Sequence, residues 1–171
     1  KVSNHMSTLS VDTIQGQTTA ANVKLPAGAV LQTVTQSFVS QGMTTASSSF
    51  VTTGHAITIT PKFSSSKIHL SLQGGGHYLP AYGQFAYVTI YKGASNLGSV
   101  RGFESYYSTA AQSDANDTNF IIIPHSLAHV DTAGSTSALT YTIYIRSTGG
   151  TYQYQNTDRA DILFTAMEIS V

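Results

Sequence analysis

The stretch DILFTAMEISV, Asp161 to Val171, decides how the rest of the chain is read. Side chains alternate across a strand, so Ile162, Phe164 and Ala166 share one face while Leu163, Thr165, Met167 and Ile169 share the other. Both faces are largely apolar. An antiparallel sheet ordinarily turns one face to its core and the other to water, so this strand must be covered twice, by its own domain and by another layer or subunit. Gln84 to Lys92 (QFAYVTIYK) has the same character, with Phe85, Tyr87 and Tyr91 against Ala86, Val88 and Ile90. The expectation is that both strands belong to one sheet, and that a self-association interface contains Phe85, Tyr87, Tyr91, Leu163, Met167 and Ile169. Glu168 falls on the Ile162 and Phe164 face. It either marks a solvent-exposed end or needs a partner such as Arg146 or Lys62.

Further strands follow the same alternation. Val30 to Phe38 is mixed, Phe50 to Thr53 short, and Ala56 to Pro61 forms a hairpin with Lys67 to Leu72 through a turn at Phe63 to Ser66. Gly42 to Ser49 reads as a loop. Gly74 to Gly76 ends the hairpin strand, because three glycines cost backbone entropy in any regular element. His77 to Gly83 is an aromatic loop, Leu97 to Tyr107 holds one or two short strands, and Ser108 to Asn119 is a polar loop. Phe120 to Ile123 is a strand interrupted by Pro124; Ala138 to Arg146 and Thr151 to Gln155 are strands. No segment carries apolar residues at helical spacing over ten or more positions. About ten short strands without an internal repeat predict an all-β fold, an antiparallel two-sheet β-sandwich of the jelly-roll kind.

Lys1 to Met6 (KVSNHM) reads as a cloning scar, and 7–28 as a linker or as one chain's share of a multi-chain shaft. The head domain is 29–171. Only 9% of the 171 residues are charged, with acids and bases equal at eight each, against roughly 25% charged in an average soluble protein. Nothing here attracts nucleic acid or anionic lipid. Ser and Thr make up about a quarter of the chain, and 41% is hydrophobic, which favours a folded β-structure over a disordered tract. Cys is absent, so disulfides and thiolate metal sites are excluded. No apolar run approaches the roughly 20 residues of a membrane span, so no membrane insertion is expected.

Taken in order, VLQTV (Val30 to Val34), ITITPKFSSSKI (Ile57 to Ile68), TYTIYIRS (Thr140 to Ser147) and FTAMEI (Phe164 to Ile169) resemble the C-terminal domain of tail-fibre and other virion structural proteins of tailed bacteriophages. The resemblance runs from about Val30 to the C-terminus, and the segment before it is similar to the linker that often precedes such domains. It implies a homotrimeric β-sandwich head, similar in shape to the tumour-necrosis-factor and C1q-like trimers, carried on a fibre shaft in the virion. It implies no catalytic residues and no cofactor.

The expected use is adhesion to a bacterial surface polysaccharide or outer-membrane protein, without catalysis. The alternative is a structural or decoration domain that binds other virion proteins. A sugar site combines an aromatic face with planar hydrogen-bonding groups. Three stretches have that mix: His77, Tyr78 and Tyr82; Tyr106, Tyr107 and Asp114; and Tyr152, Gln153, Tyr154, Asn156 and Arg159. For any one of these tyrosines a place in the core competes with a place at a site. His125 and His129 lack a third zinc ligand nearby, and Asp114, Asn116 and Asp117 lack the spacing of a calcium loop. No metal is expected. No Gly-x-Ser-x-Gly elbow occurs, and no spacing singles out a catalytic pair of carboxylates.

Overall fold

The structure, a computed structural model, describes residues 25–39, 41–79, 83–107, 123–154 and 161–171. The expected linker at 7–28 lies almost wholly outside these. The described residues form eleven strands and no helix: β1 Val30–Phe38, β2 Met43–Thr45, β3 Val51–Ile59, β4 Lys67–Tyr78, β5 Phe85–Lys92, β6 Ser95–Asn96, β7 Glu104–Tyr107, β8 Ile123–Thr132, β9 Leu139–Ser147, β10 Tyr152–Tyr154 and β11 Ile162–Ile169. They make two antiparallel sheets. In the first, β1, β11, β4 and β8 lie side by side, and the short β10 and β2 continue it where β4 runs past the start of β11. In the second, β3, β9 and β5 lie side by side, with β6 and β7 sharing the far edge of β5. The long strands alternate between the sheets from β3 to β4 to β5, and again from β7 to β8 to β9 to β11.

The core lies between them. Ile68, Leu70, Leu72, Ile162 and Phe164 of the first sheet meet Ile57, Val88, Ile90, Ile143 and Ile145 of the second, all buried. The alternation read from β11 holds: Ile162, Phe164, Ala166 and Glu168 point inward and Leu163, Thr165, Met167 and Ile169 outward.

Five local readings need correction. Three arise where a glycine or proline is accommodated inside a strand. Gly54, at a φ of 78°, sits in a bulge that joins the two short strands read at Phe50 to Thr53 and Ala56 to Pro61 into one, β3. Gly74 to Gly76 do not end β4, which runs on through His77 and Tyr78, the first two residues of the stretch read as an aromatic loop. The three glycines form a second bulge, where Gly75 N–H donates to the Asp161 carbonyl at 2.7 Å and a side chain at Gly74 would collide with that carbonyl oxygen. Pro124 does not interrupt β8, because β8 is an edge strand paired only with β4 and can forgo one ladder donor. The fourth is β2, which lies within the stretch read as a loop at Gly42 to Ser49. The fifth is the hairpin read between Ala56 to Pro61 and Lys67 to Leu72: β3 pairs with β9 in the second sheet and β4 with β11 and β8 in the first, so the connection 60–66 crosses between sheets instead of joining paired neighbours.

Glu168 is wholly buried, and its partner is not a side-chain cation. Both of its oxygens accept from Lys62 N–H (2.8 and 3.0 Å), Oε1 accepts also from Phe63 N–H (3.2 Å), and Oε2 accepts from Gln32 Nε2 (2.6 Å). Burial pushes the carboxyl upward, but these donors, with the Ser66 hydroxyl, outweigh it and hold it below the usual carboxylate range.

Candidate functional site

The two ends of the sandwich differ. At one end, residues 25–29 meet the C-terminus: Gly28 N–H donates to the Ser170 carbonyl (2.8 Å), Ser170 N–H to that of Ala29 (2.9 Å), and Ser170 Oγ to that of Leu25 (3.1 Å). The connections 60–66, 93–94 and 133–138 close the same end, with Glu168 inside it. There Lys92 Nζ lies 2.8 Å from Asp131 Oδ2, which also accepts from the Tyr141 hydroxyl (2.8 Å). Burial raises the Asp131 carboxyl, but Lys92, Tyr141 and Thr132 N–H bring it below its ordinary value; burial and the Asp131 charge push the Tyr141 phenol far up. At the opposite end, the loop end, lie the connections 46–50 and 148–151, the ends of β1, β4, β7 and β10, and the starts of β2, β5, β8 and β11. Of the expected receptor-contacting residues, His77, Tyr106, Tyr107, Tyr152, Gln153 and Tyr154 are described with their side chains, and all belong to strands that end here.

The structure separates those residues. His77, Tyr152 and Tyr154 are buried between the sheets. His77 Nδ1 lies 2.6 Å from the Tyr152 hydroxyl, its ring stacks on Tyr106 and Tyr152 at 5.5 and 5.8 Å, and its Nε2 lies 3.6 Å from Glu104 Oε1. Burial, then neighbouring Glu104, and for Tyr152 also Tyr154, push both phenols well above their ordinary value, so they stay neutral. His55 completes this interior, stacked on Phe38 at 4.4 Å, and burial lowers its pKa against a smaller opposing effect of the Gln41 backbone. These are core residues, and TYQYQ was the clue: Tyr152 and Tyr154 recur at a spacing of two, which sets both on one buried face. Tyr106 and Tyr107 point to opposite sides. Tyr106 pairs with Ala86 and packs inward; Tyr107 pairs with Phe85 and is 44% exposed. Gln153 is half-buried on β10. Tyr82, Asp114, Asn156 and Arg159 lie outside the described residues, as does the side chain of Tyr78.

The expected interface also divides. β5 and β11 belong to different sheets, so Phe85, Tyr87 and Tyr91 face outward on one side of the sandwich and Leu163, Met167 and Ile169 on the other. The two groups therefore do not share one face of the sandwich.

From Tyr87 onward the second face of β5 is covered by its own chain, while Phe85 at its start stays exposed. The Arg146 guanidinium lies 4.3 Å over the Tyr87 ring and 5.1 Å over that of Phe50, and donates to the Ser48 and Val100 carbonyls. Thr89 Oγ1 donates to Asn96 Oδ1 at 2.6 Å, and Gly98 approaches so closely that a Cβ there would lie 2.6 Å from the same oxygen. Tyr87 is left 5% exposed and Thr89 is buried.

Among the described residues the outer face of the first sheet has no such cover. Three rows cross it: Thr33, Met167, His69 and Val130; Thr35, Thr165, Ser71 and Ala128; Ser37, Leu163, Gln73 and Ser126. None of these carries an Asp, Glu, Lys or Arg; the next row, Ile169, Lys67 and Thr132, carries Lys67. Leu163 is 43% and Val130 53% exposed.

Among the described residues no group of three or more His, Cys, Asp or Glu is placed to hold a metal ion. Neither a scan against protein-family models nor a search of curated proteins gives a match for this chain.

Proposed function

We propose that the chain is the non-catalytic head of a tailed-phage fibre, a jelly roll that assembles as a homotrimer and attaches the virion to a bacterial surface polysaccharide through its loop end. The observation that carries this reading is the polarity of the sandwich. Both described termini lie at one end, so a preceding shaft attaches there, and the strand ends that flank the longest connections lie at the other. Strand orders of β1-β11-β4-β8 and β3-β9-β5-β7, with the chain alternating between sheets, support the jelly-roll reading. The outer face of the first sheet, uncharged over its central rows, is the surface that suits the trimer. Three copies of a weak site facing one way gain roughly 10² to 10⁴ in avidity without any new contact.

The test is binding of the isolated domain to candidate host cells before and after removal of their surface polysaccharide, with sedimentation of the same preparation. The reading requires a trimer whose cell binding falls on stripping. A folded monomer at micromolar concentration would remove the trimer. A trimer that binds no cell but holds another virion protein would favour the decoration role.

A further inference from the structure

We infer that His69 makes the association of copies through the outer face of the first sheet pH-dependent: the neutral imidazole is covered by another copy of the chain, and its protonation drives the copies apart. The inference rests on the trimer reading of that face and adds its regulation.

His69 lies on β4 between β11 and β8. It pairs with Met167 on one side and Val130 on the other, so two apolar side chains flank its ring. It is half-buried already in the single chain, and its Nδ1 is shut off from solvent without a hydrogen-bond partner. A copy laid over this row covers what remains. A neutral imidazole tolerates such cover far better than an imidazolium, because burying a charge is costly unless an opposite charge meets it.

Among the described residues no opposite charge is at hand. To the side that His69 faces, β11 turns Thr165, Met167 and Ile169, β8 turns Ala128, Val130 and Thr132, and β1 turns Thr33 and Thr35; β4 itself adds Lys67 and Ser71. Lys67 is the one other titratable group in this set. It has the sign of an imidazolium, and its Nζ donates to Thr132 Oγ1 at 2.8 Å. The carboxylates of the flanking strands are turned inward, Glu168 onto the turn amides and Asp131 onto Lys92 and Tyr141.

The same composition favours another copy of this chain as the cover. Around a three-fold axis every residue is presented three times, so a charge on the shared face meets its own copies. The three central rows avoid this while His69 is neutral, and its protonation adds three like charges at once. Cover disfavours the charged form, so association is full at high pH and weakens as pH falls.

Sedimentation of the whole protein at several pH values, with circular dichroism to follow the fold, tests the switch. A trimer is expected at about pH 7.5. Histidine ordinarily changes charge between about pH 5 and 8, and three rings that must shed a proton to assemble lower the association constant on the order of 10³-fold by about pH 5.5. The single chain should stay folded throughout. His69→Gln is expected to hold the trimer at both pH values, and His69→Arg to be a folded monomer at both. An equal loss of association in His69→Gln would overturn the inference and move the pH dependence to another group such as His55. Dissociation that occurs only with unfolding would overturn it too. The two readings fail separately: a trimer that ignores pH sinks the switch alone, whereas a folded monomer at about pH 7.5 removes the trimer and the switch with it.

Discussion

β5 and β11 look alike in sequence and stand differently in the molecule. Both are apolar on both faces. The chain folds Arg146, Phe50 and the segment around Gly98 over the outer side of β5, whereas the outer side of β11 is left with Leu163 open to solvent. Two-sided hydrophobicity therefore shows that a strand needs a second cover and is silent about who supplies it. A single arginine laid across two rings does for β5 what a neighbouring subunit is proposed to do for β11.

Substitutions can sharpen or break this contrast. The largest effect on folding is expected from Tyr87→Ala, which empties a closed aromatic layer: a loss of about 3 to 4 kcal/mol in denaturant unfolding, with the association state unaltered. A change in association but not in stability would mean that β5 belongs to an interface after all. Next is Glu168→Ala on the inner face of β11, which leaves the Lys62 and Phe63 N–H groups and the Gln32 amide without their acceptor. The expected cost is about 2 to 3 kcal/mol, and Lys62→Met should be close to neutral, because only the backbone of Lys62 is used. Third, Met167→Lys on the outer face of β11 is expected to change stability of the single chain by under about 0.5 kcal/mol while shifting sedimentation to the monomer. A trimer that tolerates it would move the interface elsewhere.

The smallest effect is a pH dependence that separates the two halves of the sandwich. Glu168 and Asp131 have lowered folded-state pKa values, so their stabilisation is present above the unfolded carboxylate range and is lost as pH falls through the folded values, below about 4.5 and 3.8. His55 is also lowered, from 6.5, so its contribution is present above that value and begins to fade below it. Hydrogen exchange should therefore quicken around Phe38, His55 and Tyr154 as pH falls from 6.5 toward 5, before it does around Lys62 and Ile169. Simultaneous loosening of both regions would contradict the assignment.

The strands and faces were largely legible in the sequence because a period of two survives wherever one side of a strand is buried. Ile162, Phe164 and Ala166 could be assigned without coordinates. Sheet membership could not, since alternation is the same in either sheet and only pairing separates β5 from β11. Gly54, Gly74 and Pro124 misled for a shared reason: bulges and edges allow residues that a central strand excludes. The loop-end tyrosines misled differently. Tyrosine serves core and surface equally well, and only the pairing of Tyr107 with Phe85 and of Tyr106 with Ala86 shows which ring faces out. For Glu168, a carboxylate invites a search for cations, and nothing in the sequence marks two turn amides as its partners.

The join between β1 and β11 has a mechanical meaning. β1 is an edge strand that leaves the terminus end clamped by Ser170 and runs toward the loop end in register with β11, from Val30 opposite Ile169 to Phe38 opposite Ile162. Ladder hydrogen bonds lie across the strands. Tension between an anchored loop end and the segment before Leu25 is therefore directed along β1 and loads the whole ladder in shear, so its bonds resist together rather than unzipping one at a time.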